Sequence, residues 1–208
     1  MSEVEQSADI GHQHSAAPRP WGPIVAVLVL AFAVAAVFWL QWRQTPSIGG
    51  PFKLTDATSG RAVSDQDFRG KWLLVFFGYT HCPDVCPTTL SDIADAMTQL
   101  GPLADRVQPL FITVDPDRDA RQVLADYTAA FDPRIVGLTG RADQIAAVAR
   151  SYRVYYAKRI IGDDYTMDHT GAIYVMRPDG TYASSLFGTD GASAMTRRLR
   201  QLIGNGGG

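Results

Sequence analysis

Two uninterrupted apolar runs, Lys71 to Phe77 (KWLLVFF) and Pro109 to Val114 (PLFITV), limit what this chain can fold into. A strand with one wet face alternates apolar and polar residues; these runs do not, so each is expected as a central parallel strand covered on both faces. Parallel neighbours need a crossover, and the sequence between them supplies a helix. Leu90, Ile93, Ala94, Met97 and Leu100 recur at helical spacing, and Gly101-Pro102 ends the pattern. Two further helices are expected over Ala120 to Phe131 and Ala142 to Tyr152, with a short strand, Ile135 to Leu138, between them. Thr170 to Met176 and Thr181 to Leu186 flank Arg177-Pro178-Asp179-Gly180, the pattern of a β-hairpin. A last helix is expected from Ala192 to Ile203, and the stretch from Arg153 to Asp168 is left without an expected element. Alternating strands and helices point to an α/β sheet rather than a bundle or a sandwich.

Ahead of this domain lies a third apolar run, of a different kind. Ile24 to Leu40 is an uninterrupted apolar run, bracketed by Trp21 on one side and by Trp39 and Trp42 on the other. At about 1.5 Å per residue, the run with its tryptophan flanks approaches the roughly 20 residues that cross a hydrocarbon layer. Indoles suit both interfaces. The expected organisation is a polar tail over 1–20, a transmembrane anchor over 21–42, a linker over 43–50, one domain over 51–203 and a flexible tail over 204–208. A cleaved secretory signal is the competing reading, since Ala33, Ala35 and Ala36 could serve a peptidase, but the apolar run is longer than such signals use. A mitochondrial transit peptide fits poorly with Glu3, Glu5 and Asp9 in the tail. A bacterial cytoplasmic membrane fits better. Arg19 before the run is matched by Arg43 after it, so flanking charge does not orient the span. His12 and His14 in the tail are expected to be solvated, because Gly, Ser, Ala and Pro around them offer no scaffold.

The 208 residues carry a net charge of −2 and no long basic run, which argues against nucleic acid as a partner. Only two cysteines are present, Cys82 and Cys86, too few for a disulfide framework. They sit in GYTHCPDVCPTTL, where a buried strand gives way to a helix, the place where α/β folds put their chemistry. Pro87 is tolerated only in a first helical turn, so Asp84 is the expected N-cap and Val85, Cys86 and Pro87 the first helical positions. Free N–H groups and the helix dipole at Cys86 would favour thiolate there. A structural disulfide across so short a loop would add little stability. Thiol–disulfide exchange usually employs two intervening residues, not the three found here. Capture of a soft metal is the third reading. Two thiolates suit Cu(I), and one added imidazole lets the site hold Cu(II) as well, whereas structural zinc wants four protein ligands. His81 adjoins Cys82 and is expected to point away. His169, in TMDHTGAIYVM at the start of the expected hairpin, is the remaining candidate, although by sequence alone a histidine before a strand is more often a hydrogen-bonding core or turn residue.

Strand, cysteine pair, helix, strand, crossover helix, antiparallel hairpin and terminal helix is the thioredoxin-like order. YTHCPDVCPTTL, FITVDPDRD and DHTGAIYVMRPDG, in that order, resemble the SCO/SenC family of copper chaperones for cytochrome c oxidase, over roughly Pro51 to Ile203. The resemblance implies a peroxiredoxin-type thioredoxin-like domain, with Phe52 to Gly70 as its extra N-terminal hairpin and turn. It implies one copper ion held by Cys82, Cys86 and His169, and a protein that delivers copper to, or matures, the dinuclear copper site of the oxidase. Its partners would be the copper-site subunit and a copper donor protein. The domain would stand in the periplasm on a single-pass anchor.

Asp115 in VDPDRD is expected either near the metal and partner surface or as an Asp-Pro turn. Asp168 is a candidate to orient His169 by accepting its second ring N–H. Tyr79 and Phe77 are expected to pack in the core or loop. The alternative function is a periplasmic thiol–disulfide reductase acting on the oxidase cysteines through Cys82 and Cys86 as a redox-active pair. A peroxidase is set aside, because the Pro and Thr usual upstream of a peroxidatic cysteine are replaced by Tyr79 and Pro83.

Overall fold

A computed structural model describes residues 21–42 and 48–205. The chain divides into two units, Met1–Pro46 and Ser47–Gly208. In the first, α1 (Trp21–Trp42) is a 22-residue helix with no acidic residue in its first turn and no basic residue in its last. Ile24, Leu28 and Phe32 along it are exposed. Among the described residues no helix is long and apolar enough to cross a membrane. The side chains from Leu40 onward, at one end of the expected span, lie outside those described, as do His12, His14 and residues 43–47 of the linker.

The second unit begins before Pro51. The Gly49 N–H donates to the Ser151 carbonyl at 2.9 Å, and at φ +89° a Cβ there would collide with Met176 Cε, so the chain docks through a glycine. β1 (Lys53–Asp56) and β2 (Ala62–Ser64) form the expected N-terminal hairpin, and a single 3-10 turn at Asp65–Phe68 follows it. The first apolar run becomes β3 (Trp72–Gly78), in which every residue is buried. Then come α2 (Val85–Leu100), β4 (Val107–Thr113), α3 (Arg121–Phe131), β5 (Val136–Thr139) and α4 (Ala142–Ser151). A hairpin of β6 (Tyr156–Ile161) and β7 (Asp164–His169) precedes the expected one of β8 (Ala172–Met176) and β9 (Tyr182–Phe187). α5 (Gly191–Asn205) closes the fold, so Gly204 and Asn205 extend the last helix instead of opening a tail.

The main sheet has seven strands in the order β2-β1-β5-β4-β3-β8-β9. β3 and β4 run parallel, with Val75 opposite Leu110, Phe76 opposite Phe111 and Phe77 opposite Ile112. β8 lies antiparallel on the other side of β3. This is the thioredoxin-like arrangement, a mixed α/β single domain. α2 turns Leu90, Ile93, Met97 and Leu100 inward and packs on α5, which buries Met195, Leu199 and Ile203. The apolar run of β3 is continuous because helices or loops cover both faces of the sheet at its centre.

The β6–β7 pair is the one element absent from the sequence expectations. It is a separate two-stranded sheet, with Tyr156 opposite His169 and Ile161 opposite Asp164. Gly162, at φ +60°, takes the first position of its two-residue turn, as a type II′ hairpin requires. His169 therefore ends β7 instead of starting the β8–β9 hairpin.

Candidate metal centre

The carboxyl end of β3 and the amino end of α2 build half of the site. Cys86 occupies the first turn of α2 and is wholly buried. Its sulfur is admitted by Gly78 at the end of β3, where a Cβ would stand 2.7 Å from both Cys86 Sγ and Phe111 Cε2. Cys82 lies in the connecting loop, half-buried, with its N–H donating to the Tyr79 carbonyl at 3.3 Å. A carboxylate holds that loop from below. Asp119, fully buried, accepts the Thr80 N–H at 3.2 and 3.1 Å, the Thr80 hydroxyl at 2.6 Å and the Thr113 hydroxyl at 2.6 Å. Burial pushes its carboxyl above the usual carboxylate range, and the donating hydroxyls oppose that push.

β7 supplies the other half. His169 Nε2 stands 3.3 Å from Cys86 Sγ, and Nδ1 lies 3.2 Å from the Thr170 carbonyl. A carbonyl only accepts, so Nδ1 carries the proton and Nε2 turns its lone pair toward the sulfurs. Tyr79 and Phe76 meet the imidazole with ring centroids at 5.8 and 6.2 Å. The Tyr79 hydroxyl is 2.6 Å from Thr166 Oγ1, which ties the cysteine loop to β7. The donor atoms of Cys82, Cys86 and His169 all lie within 4.8 Å of one another, and among the described residues this is the one such group. Two sulfurs and an imidazole nitrogen suit a soft ion, Cu(I) above all, with enough nitrogen character for Cu(II). A tetrahedral zinc site would need a further protein ligand.

Three expectations change. The thiolate moves to Cys82: the Cys86 N–H, one of the unpaired donors of the first helical turn, points back to Cys82 Sγ at 3.4 Å. The hydrogen bond from the Cys86 thiol pulls the Cys82 thiol well down, while that same bond and burial push Cys86 up. Asp84 takes the N-cap position but makes no side-chain cap bond. Asp168 accepts from Arg159 Nε at 3.3 and 3.2 Å, so the Thr170 carbonyl, not Asp168, orients His169. Of the two readings of Asp115 the Asp-Pro turn is the one seen: its carbonyl accepts the Arg118 and Asp119 N–H groups at 3.2 and 2.9 Å, and its buried carboxylate accepts from Arg118 Nε at 2.6 Å and from the Tyr165 hydroxyl at 3.0 Å. His81 stays outside the donor group, with its side chain 53% exposed. Phe77 is core, and Tyr79 is both core and a wall of the site.

Gly78, Thr80, Asp119 and Arg118 escaped the sequence reading. A glycine ending an otherwise bulky strand, two residues ahead of a Thr in the cysteine motif, was the available signal for the first pair. The last Asp of VDPDRD carried no signal, because Thr80, whose loop it holds, is 39 positions away.

Comparison with known proteins agrees with this construction. The SCO1/SenC family model matches residues 41–204. Protein SCO2 homolog, mitochondrial, from Bos taurus is 45% identical over 163 residues, 76% of this chain and 61% of that protein. Protein SCO1 homolog, mitochondrial, from Homo sapiens is 44% identical over 142 residues, 66% of this chain and 46% of that protein. The matched region is thus under two thirds of either relative's length. The solved structure of Bradyrhizobium japonicum ScoI with copper bound is 46% identical, with a TM-score of 0.70, and the match covers 74% of this chain and 99% of that one. On the family match, the shared fold and the extent of identity, this chain belongs to the SCO1/SenC family.

Proposed function

We propose that this chain carries one copper ion on Cys82, Cys86 and His169 and delivers it to, or matures, the dinuclear copper site of cytochrome c oxidase. The observation that carries the reading is the convergence of two sulfurs and one imidazole nitrogen within 4.8 Å, from elements far apart in sequence. The copper-bound ScoI structure supports copper as the cargo. A single donor group among the described residues supports one ion per chain. Cys86 is the buried end of the site and Cys82 the half-open end, on a cleft lined also by Tyr79, Pro83, Val85 and Arg159. A client thiolate would therefore approach from the Cys82 side, and Cys86 would release the cargo last. The partners are the copper-site subunit of the oxidase and a copper donor protein.

The chain is held at a bacterial cytoplasmic membrane by α1, with the domain in the periplasm. The 22 residues of α1 rise about 33 Å, against a hydrocarbon layer of about 30 Å, although the part of α1 whose side chains are described falls short of a full apolar span. Exposed Ile24, Leu28 and Phe32 support lipid rather than a protein core as their surroundings. Alkaline phosphatase fused after Gly208 should be active in cells; an inactive fusion with a fluorescent cytoplasmic reporter overturns this topology.

The deciding experiment reconstitutes the chain with Cu(I) and with Cu(II) and counts bound metal. One ion per chain is expected, with Cu(II) weakened more than Cu(I) in His169→Ala, since soft Cu(I) remains on two sulfurs. No bound copper, or two tightly bound ions, overturns the reading. One observation favours a second reading, a periplasmic thiol–disulfide reductase of the oxidase cysteines: the Cys86-to-Cys82 hydrogen bond prepares an accessible thiolate beside a buried thiol. That enzyme would not need His169. Unchanged copper affinity and oxidase assembly in His169→Ala, with assembly lost in both cysteine variants, would select it.

A further inference from the structure

β6 and β7 pair with each other and share no ladder with the seven-stranded sheet. Where His169 stands relative to the sulfurs therefore depends on contacts that cross from the hairpin to the body of the domain. One of them is a single neutral hydrogen bond, Tyr79 Oη with Thr166 Oγ1 at 2.6 Å, and another is an exposed ion pair, Lys158 Nζ to Asp117 Oδ2 at 3.6 Å, which adds little. The third is charged and multiple. Arg118, in the loop after β4, donates from Nε to Asp115 Oδ2 at 2.6 Å and from Nη1 to the Tyr165 carbonyl at 2.9 Å. Its guanidinium lies 3.6 Å from the centroid of the Tyr165 ring, and the Tyr165 hydroxyl closes the circuit by donating to Asp115 Oδ1 at 3.0 Å. Asp115 and Arg118 are largely buried, at 2% and 18% side-chain exposure, so this circuit is not a screened surface pair. The contact from Nη1 to Asp164, whose side chain is 80% exposed, adds little.

We propose that Arg118 is a positioning residue for the metal centre: it locks the β6–β7 hairpin to the Asp115 loop and so sets where His169 Nε2 stands relative to Cys82 and Cys86. Tyr165 and His169 lie on the same side of β7, so a tilt about the Tyr165 anchor moves the imidazole directly. The planar fork is essential to this role. A lysine ammonium cannot reach the carboxylate, the carbonyl and the ring face in one geometry. The proposal accounts for the VDPDRD segment, whose first Asp and whose Arg touch none of the donor atoms. It rests on the copper reading above.

The test uses the full-length chain loaded with Cu(II), comparing wild type, Arg118→Met, Arg118→Lys and His169→Ala by electron paramagnetic resonance and by affinity. Arg118→Met should weaken Cu(II) about tenfold, as loss of outer-shell support does elsewhere, move the resonance toward that of His169→Ala and leave Cu(I) affinity unchanged. In a His169→Ala background, Arg118→Met should add no further loss, because its effect runs through the imidazole. A merely structural role would weaken both copper states and add in both backgrounds. Arg118→Lys keeps the charge and should shift the same way by less; it decides the matter if the Met variant does not fold. Wild-type resonance and affinity in the folded variants, or additive losses, overturn the clamp while leaving the copper reading intact. If wild type takes up no copper, or His169→Ala leaves Cu(II) unchanged, the copper reading fails and the clamp with it.

Discussion

The two halves of the metal centre are held in opposite ways. Cys86 is wholly buried between β3 and α2, and the Cys82 loop is pinned from below by a fully buried Asp119. His169 rides on a hairpin outside the main sheet, whose turn end carries Ile160 and Ile161 at 69% and 55% exposure. The sulfur pair is therefore set by the packing of the core, and the imidazole by a few side-chain contacts. A carrier gains from that division. The donors that retain the cargo are fixed, while the donor that completes the site stands on the part able to move with least disturbance.

That contrast breaks first at Gly78. Gly78→Ala places a Cβ 2.7 Å from Cys86 Sγ and Phe111 Cε2, inside a core that cannot shift freely, and should destabilise the metal-free protein by about 1–3 kcal/mol in urea unfolding. Copper uptake should fall with it. Ile160→Ser at the hairpin turn should stay within about 0.5 kcal/mol of wild type. Equal losses at the two positions would dissolve the distinction between the halves.

Asp119→Asn comes next. The amide keeps one acceptor oxygen but turns an N–H₂ toward a hydroxyl that donates, so one buried donor loses its partner at a cost of about 1–3 kcal/mol. The pH dependence sharpens the test. Because the folded-state pKa of Asp119 is raised by burial, the folded protein holds this proton more tightly than the unfolded chain, and its contribution to stability falls as pH rises from the ordinary carboxylate range through the raised pKa. Stability measured against pH should lose that downward component in Asp119→Asn; an unchanged slope would show that the carboxyl is not perturbed.

A smaller effect belongs to the bond between the halves. Tyr79→Phe keeps the ring against His169 and removes only the hydroxyl that meets Thr166, so about 1 kcal/mol should be lost. Amide hydrogen exchange over β7 should speed up more than exchange over β3. Uniform acceleration would mean that Tyr79 supports the core alone and does not tether the hairpin.

The same division decides what could be read from the sequence. β3 and β4 were legible because burial on both faces writes itself as unbroken apolar runs, and α2 because one buried face leaves a helical period ending at Gly101. Pro87 placed the start of α2 correctly. The β6–β7 hairpin left no such record: Lys158 to Ile161 are all exposed, so apolar periodicity had no buried face to report. The clamps were illegible for a different reason, since Thr80 and Asp119 are 39 positions apart and Asp115 and Tyr165 are 50 apart. Polar contacts of that reach depend on the completed fold. The thiolate was misplaced because the helix dipole argument names the residue in the first turn, whereas the free N–H there points to the sulfur of its neighbour in the loop.

The mildest perturbation leaves the sequence intact and separates the two sulfurs. In the metal-free, reduced protein Cys82 is half-buried and accepts hydrogen bonds, while Cys86 is fully buried and donates. An ordinary thiol, with a pKa of about 8.5, is almost entirely protonated at pH 6 and reacts slowly with iodoacetamide. Cys82 should nevertheless be alkylated readily at that pH, and Cys86 should follow only when the protein is unfolded. Fragmentation of the peptide that contains both residues, followed over time by mass spectrometry, reads the order directly. Labelling of Cys86 first, or of both together in the folded state, would return the thiolate to the helix and remove the open end through which the cargo is proposed to leave.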